Sequence, residues 1–154
     1  MKTFLITTLF LLLMDGCSTR NAFTSFNLTQ NQEKSEDSIL NAKIYKEETI
    51  TGVMSAVYLN RVLPQEYHTN EYFYIVLYDK HKNADEKINF FLNEKEALSV
   101  KKLEAKNKFS NLIFSNSNWK RYYLVSFEKQ GVTLKLTVKI AKHKSDNLIF
   151  KKED

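Results

Sequence analysis

An all-β fold is what this sequence predicts, and three observations carry that expectation. Several short stretches alternate apolar with polar residues at a period of two, polar or charged breaks separate them, and no long stretch repeats its apolar residues at the helical period. About seven strands follow, and with them an antiparallel immunoglobulin-like β-sandwich. A transthyretin-like sandwich or a small barrel satisfies the same pattern, because periodicity assigns faces to strands without assigning their neighbours.

Ile44 and Tyr45 open the expected domain. Residues 49–59 form its first well-patterned strand, with Val53, Val57 and Leu59 on one face and Met54, Ala56 and Tyr58 on the other. The connection 60–70 holds Pro64, the only proline, which interrupts sheet pairing. Residues 71–78 are aromatic or β-branched almost throughout, as in a strand buried on one side and partly covered on the other. A charged turn over 79–86 leads to a short strand at 87–92, expected to return antiparallel to it. Residues 98–103 read as an edge segment, and Phe109, Leu112, Ile113 and Phe114 as a cap on one end of the core. The best-patterned unit is a hairpin in which 119–128 and 132–140 flank Lys129, Gln130 and Gly131, with the glycine in the left-handed position of a three-residue loop. Leu134, Leu136, Val138 and Ile140 then face the core, while Thr133, Lys135, Thr137 and Lys139 face water. Trp119 and Tyr122 or Tyr123 are expected in or beside that core. Residues 147–151 add a last strand after a turn over 142–146.

The start of the chain has another character. Lys2 precedes an apolar run from Phe4 to Met14, and Asp15, Gly16 and Cys17 follow, giving a charged start, an apolar middle and a small residue at a cut. Met14-Asp15-Gly16-Cys17 resembles the lipobox of bacterial lipoproteins. The resemblance implies cleavage before Cys17, a diacylglycerol on its sulfur, and, from Ser18 in the next position, an outer-membrane address facing the periplasm. The apolar run itself, at about 1.5 Å per residue, is too short to cross a hydrocarbon core of about 30 Å. The expected organisation is a signal peptide over 1–16, a lipidated cysteine with a polar tether over 17–42, and a β-domain over 43–154.

Charge is unevenly spread within a net of +5. Residues 17–100 carry 9 Lys and Arg against 12 Asp and Glu, whereas 101–154 carry 13 against 5. A basic C-terminal part favours anionic headgroups or polymers, and the export signal argues against nucleic acid. His68, His81 and His143 fall in expected loops without metal-ligand spacing, and no serine sits in a glycine-rich nucleophile turn. Catalytic residues, a metal and a cofactor are therefore not expected. Two surfaces are candidates for binding: Tyr72, Tyr74 and Tyr78, which share one strand face, and the C-terminal lysines, foremost Lys135 and Lys139 and with them Lys142, Lys144, Lys151 and Lys152. The first functional class is a non-enzymatic envelope lipoprotein whose β-domain serves a structural role or contacts an envelope protein. The second is a glycan- or lipid-binding module using the tyrosine face or the basic strands.

Overall fold

Ten strands, paired antiparallel throughout, form one curled sheet in the computed structural model, which describes residues 38–80, 87–113 and 117–152. They are β1 Ile39–Lys46, β2 Thr49–Tyr58, β3 Glu71–Asp79, β4 Ile88–Leu92, β5 Lys95–Glu96, β6 Ser99–Leu103, β7 Lys120–Phe127, β8 Thr133–Ile140, β9 His143–Ser145 and β10 Leu148–Lys151. One four-residue helix, α1 Leu59–Val62, follows β2. The strand order is β5-β4-β8-β9-β1-β2-β3-β7-β6, and β10 also pairs with β8. The two margins of this sheet are neighbours in sequence. Ala97 N–H donates to Phe90 O (3.1 Å) and Leu98 N–H to Ser126 O (2.9 Å), so the chain steps from one margin to the other and draws the sheet into a half-barrel.

Alternation along the strands builds the concave core. Leu134, Leu136, Val138 and Ile140 of β8 are wholly buried and alternate with exposed Thr133, Lys135 and Lys139. They meet Met54 and Ala56 of β2, Phe73, Ile75 and Leu77 of β3, and Val125 and Phe127 of β7. The convex face is divided. Over β2, β3 and β7 it is apolar as well, and α1 with the segment carrying Phe109, Leu112 and Ile113 covers Val57, Tyr74, Val76 and Tyr122 there. Those three residues therefore cover a face instead of capping an end, and Phe114 lies outside the described residues. Over β4, β8 and β9 the convex face carries lysines, and it forms the wall of the groove described below.

Several expectations are corrected by the pairing. The segments 119–128 and 132–140 are strands, but β7 pairs with β3 and β6 while β8 pairs with β4, β9 and β10. No hairpin joins them. Gly131 has no positive φ, and residues 128–132 instead cross the end of the sheet. Gln130 fixes that crossing by donating its N–H to Glu71 Oε1 (3.0 Å) and its side-chain amide to Leu92 O (3.1 Å). Likewise β4 pairs with β8 and β5, not with β3. The expected turn over 142–146 contains β9, which places His143 in a strand, 7% exposed. Trp119 lies in a turn ahead of β7 and is 75% exposed, outside the core expected for it. Both Tyr122 and Tyr123 are buried. Strand β1 starts at Ile39, earlier than the expected boundary at residue 43, and pairs with β2 along its whole length.

Candidate ligand-binding groove

Strand β8 supplies the floor of the candidate site. Its wet positions, Lys135, Thr137 and Lys139, stand on the convex face because the leucines, Val138 and Ile140 between them fill the core. Register sets their neighbours: Phe91 of β4 is opposite Thr137, and Lys144 of β9 is opposite Lys139. Side chains directly opposite in an antiparallel pair share a face. The two-residue turn between β4 and β5 closes one side. Asn93 and Glu94 have φ of 46° and 71°, the positive pair that a tight hairpin turn of matching twist requires.

Asn93 ties that turn to β8. Its N–H donates to Lys135 O (2.9 Å), its Oδ1 accepts from Lys135 N–H (2.8 Å), and its amide donates to Thr133 O (3.0 Å) and Gln130 Oε1 (2.9 Å). With its amide committed to the frame, Asn93 acts as a brace. The resulting groove encloses about 370 Å³ and is lined further by Glu94, Lys144 and Asn147. This lies at the small end of the range for ligand pockets, about 300–1,000 Å³. Three lysines face one acid around it. The ammonium of Lys139 stands 4.8 Å from the centroid of the Phe91 ring, a cation–π contact that fixes both over the groove. The chemistry on offer is an aromatic platform rimmed by cations, which suits a flat or apolar ligand face carrying negative charge.

The tyrosines predicted to share a surface do share a strand face, but the cover separates them. Tyr74 is fully buried with its ring 5.2 Å from that of Phe109, and burial pushes its hydroxyl up from the usual range although Asn107 donates to it. Tyr72 is half-buried, edge-on to Tyr67 at 5.0 Å, with its hydroxyl 3.1 Å from Thr69 Oγ1. Only Tyr78 presents much surface, at 40% exposed. Lys135 and Lys139, by contrast, converge. Lys144, one of the C-terminal lysines anticipated as a basic candidate, joins them in the groove, whereas Phe91 and the Asn93 brace were not anticipated; the alternation of β8 predicts Phe91 only once β4 is known to flank it.

Two buried polar clusters also escaped the sequence. Glu71, at the start of β3, has Oε1 accepting from Lys152 Nζ (2.6 Å) and Gln130 N–H (3.0 Å), and Oε2 accepting from the Tyr58 hydroxyl (2.5 Å). Burial pushes the carboxyl up, but the hydrogen bonds from Lys152, Tyr58 and Gln130 and the Lys152 charge together hold it below its usual range. Burial and then the bond to Glu71 drive the Tyr58 hydroxyl well above its own range. This is a structural lock, since both carboxylate oxygens have assigned donors. The second cluster joins Thr51 to His143, Oγ1 to Nδ1 at 2.8 Å, while Thr51 Oγ1 donates to Ile44 O at 3.3 Å. His68 is exposed and His81 lies outside the described residues. Among the described residues no three His, Cys, Asp or Glu side chains converge as metal ligands, and no helix is long and apolar enough to cross a membrane. Cys17 lies outside the described residues. No protein-family model, no curated protein and no solved structure matches this chain.

Proposed function

We propose that this chain is a non-enzymatic cell-envelope lipoprotein, anchored in the outer membrane through lipidated Cys17, whose β-domain binds a small phosphate- or carboxylate-bearing sugar in the groove on β4, β8 and β9. The observation that carries the reading is the convergence of Lys135, Lys139 and Lys144 around Phe91 in a concave site. Lysines scattered on strand faces need no ligand; lysines gathered from two strands onto one ring give an anion a place to sit. The shared chemistry is an acidic sugar, carried either on a lipid headgroup or on an envelope polymer. For the architecture, the stitched margins of the sheet support the small-barrel alternative over an immunoglobulin-like sandwich.

The test is binding of the protein to phosphorylated glycolipid vesicles and to isolated envelope polymers, with the parent compared to Lys135→Gln, Lys139→Gln and Lys144→Gln. Each loss of a charged hydrogen-bond donor is expected to weaken binding about tenfold with the fold unchanged. Full binding by the triple variant refutes the groove. Fatty-acid labelling that survives Cys17→Ala refutes the anchor separately. A protein partner is the second reading, favoured by strand β6, which pairs with β7 on one side and carries exposed Val100, with exposed Leu98 just before it. A crosslinked envelope protein lost on replacing Val100 by Lys supports that reading.

A further inference from the structure

A second surface lies on the convex face, away from the groove, where the cover over β2, β3 and β7 stops short. Register sets Lys43 opposite Val53, Val53 opposite Tyr78, and Tyr78 opposite Lys120, so these four side chains cross β1, β2, β3 and β7 in one row. At a strand spacing of about 4.8 Å the row is roughly 14 Å wide. Val53 and Tyr78 in its middle are exposed, although the next row inward, Val76 with Tyr122, is buried under the cover. Ile50, also exposed, adjoins the row on the same face through its pairing with Tyr45. Trp119, in the turn one residue before Lys120, is the most exposed large apolar side chain among the described residues.

We propose that this row is a membrane-contact surface for anionic lipid. Three features select that occupant. The patch is a row of apolar side chains spread over four neighbouring strands, a broad surface of the kind that a bilayer interface accepts. Its composition is that of interfacial anchors: tyrosine and tryptophan place apolar rings with polar tips at headgroup depth, and aliphatic side chains fill between them. Its rim carries more cations than anions: Lys43 in the row and Lys80 two residues after Tyr78 are exposed, against Asp146, whose N–H donates to Lys43 O (3.0 Å) and whose side chain is bonded to Tyr45. Lysine stems lie along apolar surface while their ammonium groups reach phosphate. Glu47 and Glu48 in the β1–β2 turn are set at the strand tips beyond the row. Beside a lipid anchor such a contact would set the orientation of the domain on the membrane, but it depends on neither Cys17 nor the groove.

Trp119 is the only tryptophan in the chain and adjoins Lys120 of the row, so its fluorescence is the readout. The full chain carrying Cys17→Ser is titrated with phosphatidylcholine vesicles with and without phosphatidylglycerol. Anionic vesicles are expected to shift the emission to the blue and to shield Trp119 from iodide. Lys43→Gln and Lys80→Gln should each weaken the lipid dependence about fivefold, and Tyr78→Ser should weaken it with circular dichroism unchanged. Unchanged emission and unchanged iodide access in excess lipid overturn the proposal. Shielding that rises with protein concentration in the absence of lipid also overturns it, because the face would then cover a second copy of the chain. A shift abolished by Lys135→Gln, Lys139→Gln and Lys144→Gln together overturns it in favour of the groove, and equal shifts on neutral and anionic vesicles remove the part given to the lysines.

Discussion

Replacing Glu71 by Gln changes the charge of the buried carboxylate with little change of shape. The amide oxygen can take over the acceptor role of Oε1 toward Lys152 and Gln130, and the amide nitrogen can donate to the Tyr58 hydroxyl, which then reverses its own role. All contacts can persist, so the loss measures charge. A hydrogen bond to a charged group contributes about 1.5–3 kcal/mol and a neutral one about 0.5–1.5. Two short bonds lose charge assistance, those to Lys152 at 2.6 Å and Tyr58 at 2.5 Å. The expected cost at neutral pH is about 2 kcal/mol, kept from growing because the Lys152 side chain is 27% exposed and still donates to Gln130 O. That corresponds to a urea midpoint lowered by about 1 M. The pH dependence has a definite sign. Because the folded carboxyl is held below the usual value of 4.5, its contribution is complete above that pH and disappears as pH falls through the folded value. The gap between parent and Glu71→Gln should therefore close in acid. Equal midpoints at neutral pH, or a gap that stays constant into acid, refute the role given to this carboxylate.

Three further outcomes follow from the packing. Leu136, wholly buried with Leu92 and Leu148 opposite it on either side, should cost about 2–5 kcal/mol when replaced by Ala, while Lys135→Gln should change stability by no more than about 0.5 kcal/mol, both read from denaturant unfolding. Gly52→Ala would place a Cβ against the carbonyl oxygen of Tyr78 and 3.2 Å from Asp79 Cα, so the β2–β3 ladder must part and about 1–3 kcal/mol should be lost; a melting temperature equal to the parent's would contradict this. A chain starting at Ser38 should unfold cooperatively. One starting at Lys43 should not, because it lacks the strand that pairs with Met54, Ser55, Ala56 and Val57.

How much was readable in the sequence follows from what a strand's own residues encode. The faces of β2 and β8 were readable because alternation is a local property: Met54, Ala56 and Tyr58 do face the core, as do Leu134, Leu136, Val138 and Ile140. The antiparallel all-β class was readable for the same reason. Neighbours were not, because both edges of β7 and β8 offer the same backbone groups to any strand, and a glycine between them permits a hairpin without requiring one. The site inherits that division. Lys135, Lys139 and Lys144 were identified as basic candidates from the sequence, whereas Phe91 enters only through the register of β4, and it is the register of β9 that sets Lys144 beside Lys139. Trp119 was misplaced because a large apolar residue is expected inside, and nothing in its neighbours shows that the chain turns before β7 begins.

The two proposed surfaces have a common physical origin in the parity of single strands. Strand β3 carries apolar side chains on both faces, so its convex face needs a cover, and the cover made by α1 and the segment ending at Ile113 reaches Tyr74 and Val76 but not Tyr78. Strand β8 carries apolar side chains on one face only, so its convex face needs none and stays open between β4 and β9. An uncovered apolar row and an uncovered cationic groove thus arise on one sheet from different patterns, and they call for different ligands. Exposure of Val53 and Tyr78 removes no polar group from water and makes no hydrogen bond, so any stabilisation on contact comes from apolar burial that salt leaves in place. Binding in the groove depends on ammonium charge, which salt screens. Raising ionic strength should accordingly separate them, weakening the groove's ligand strongly while the contact through Trp119 and Tyr78, once formed, loses only the part contributed by Lys43 and Lys80.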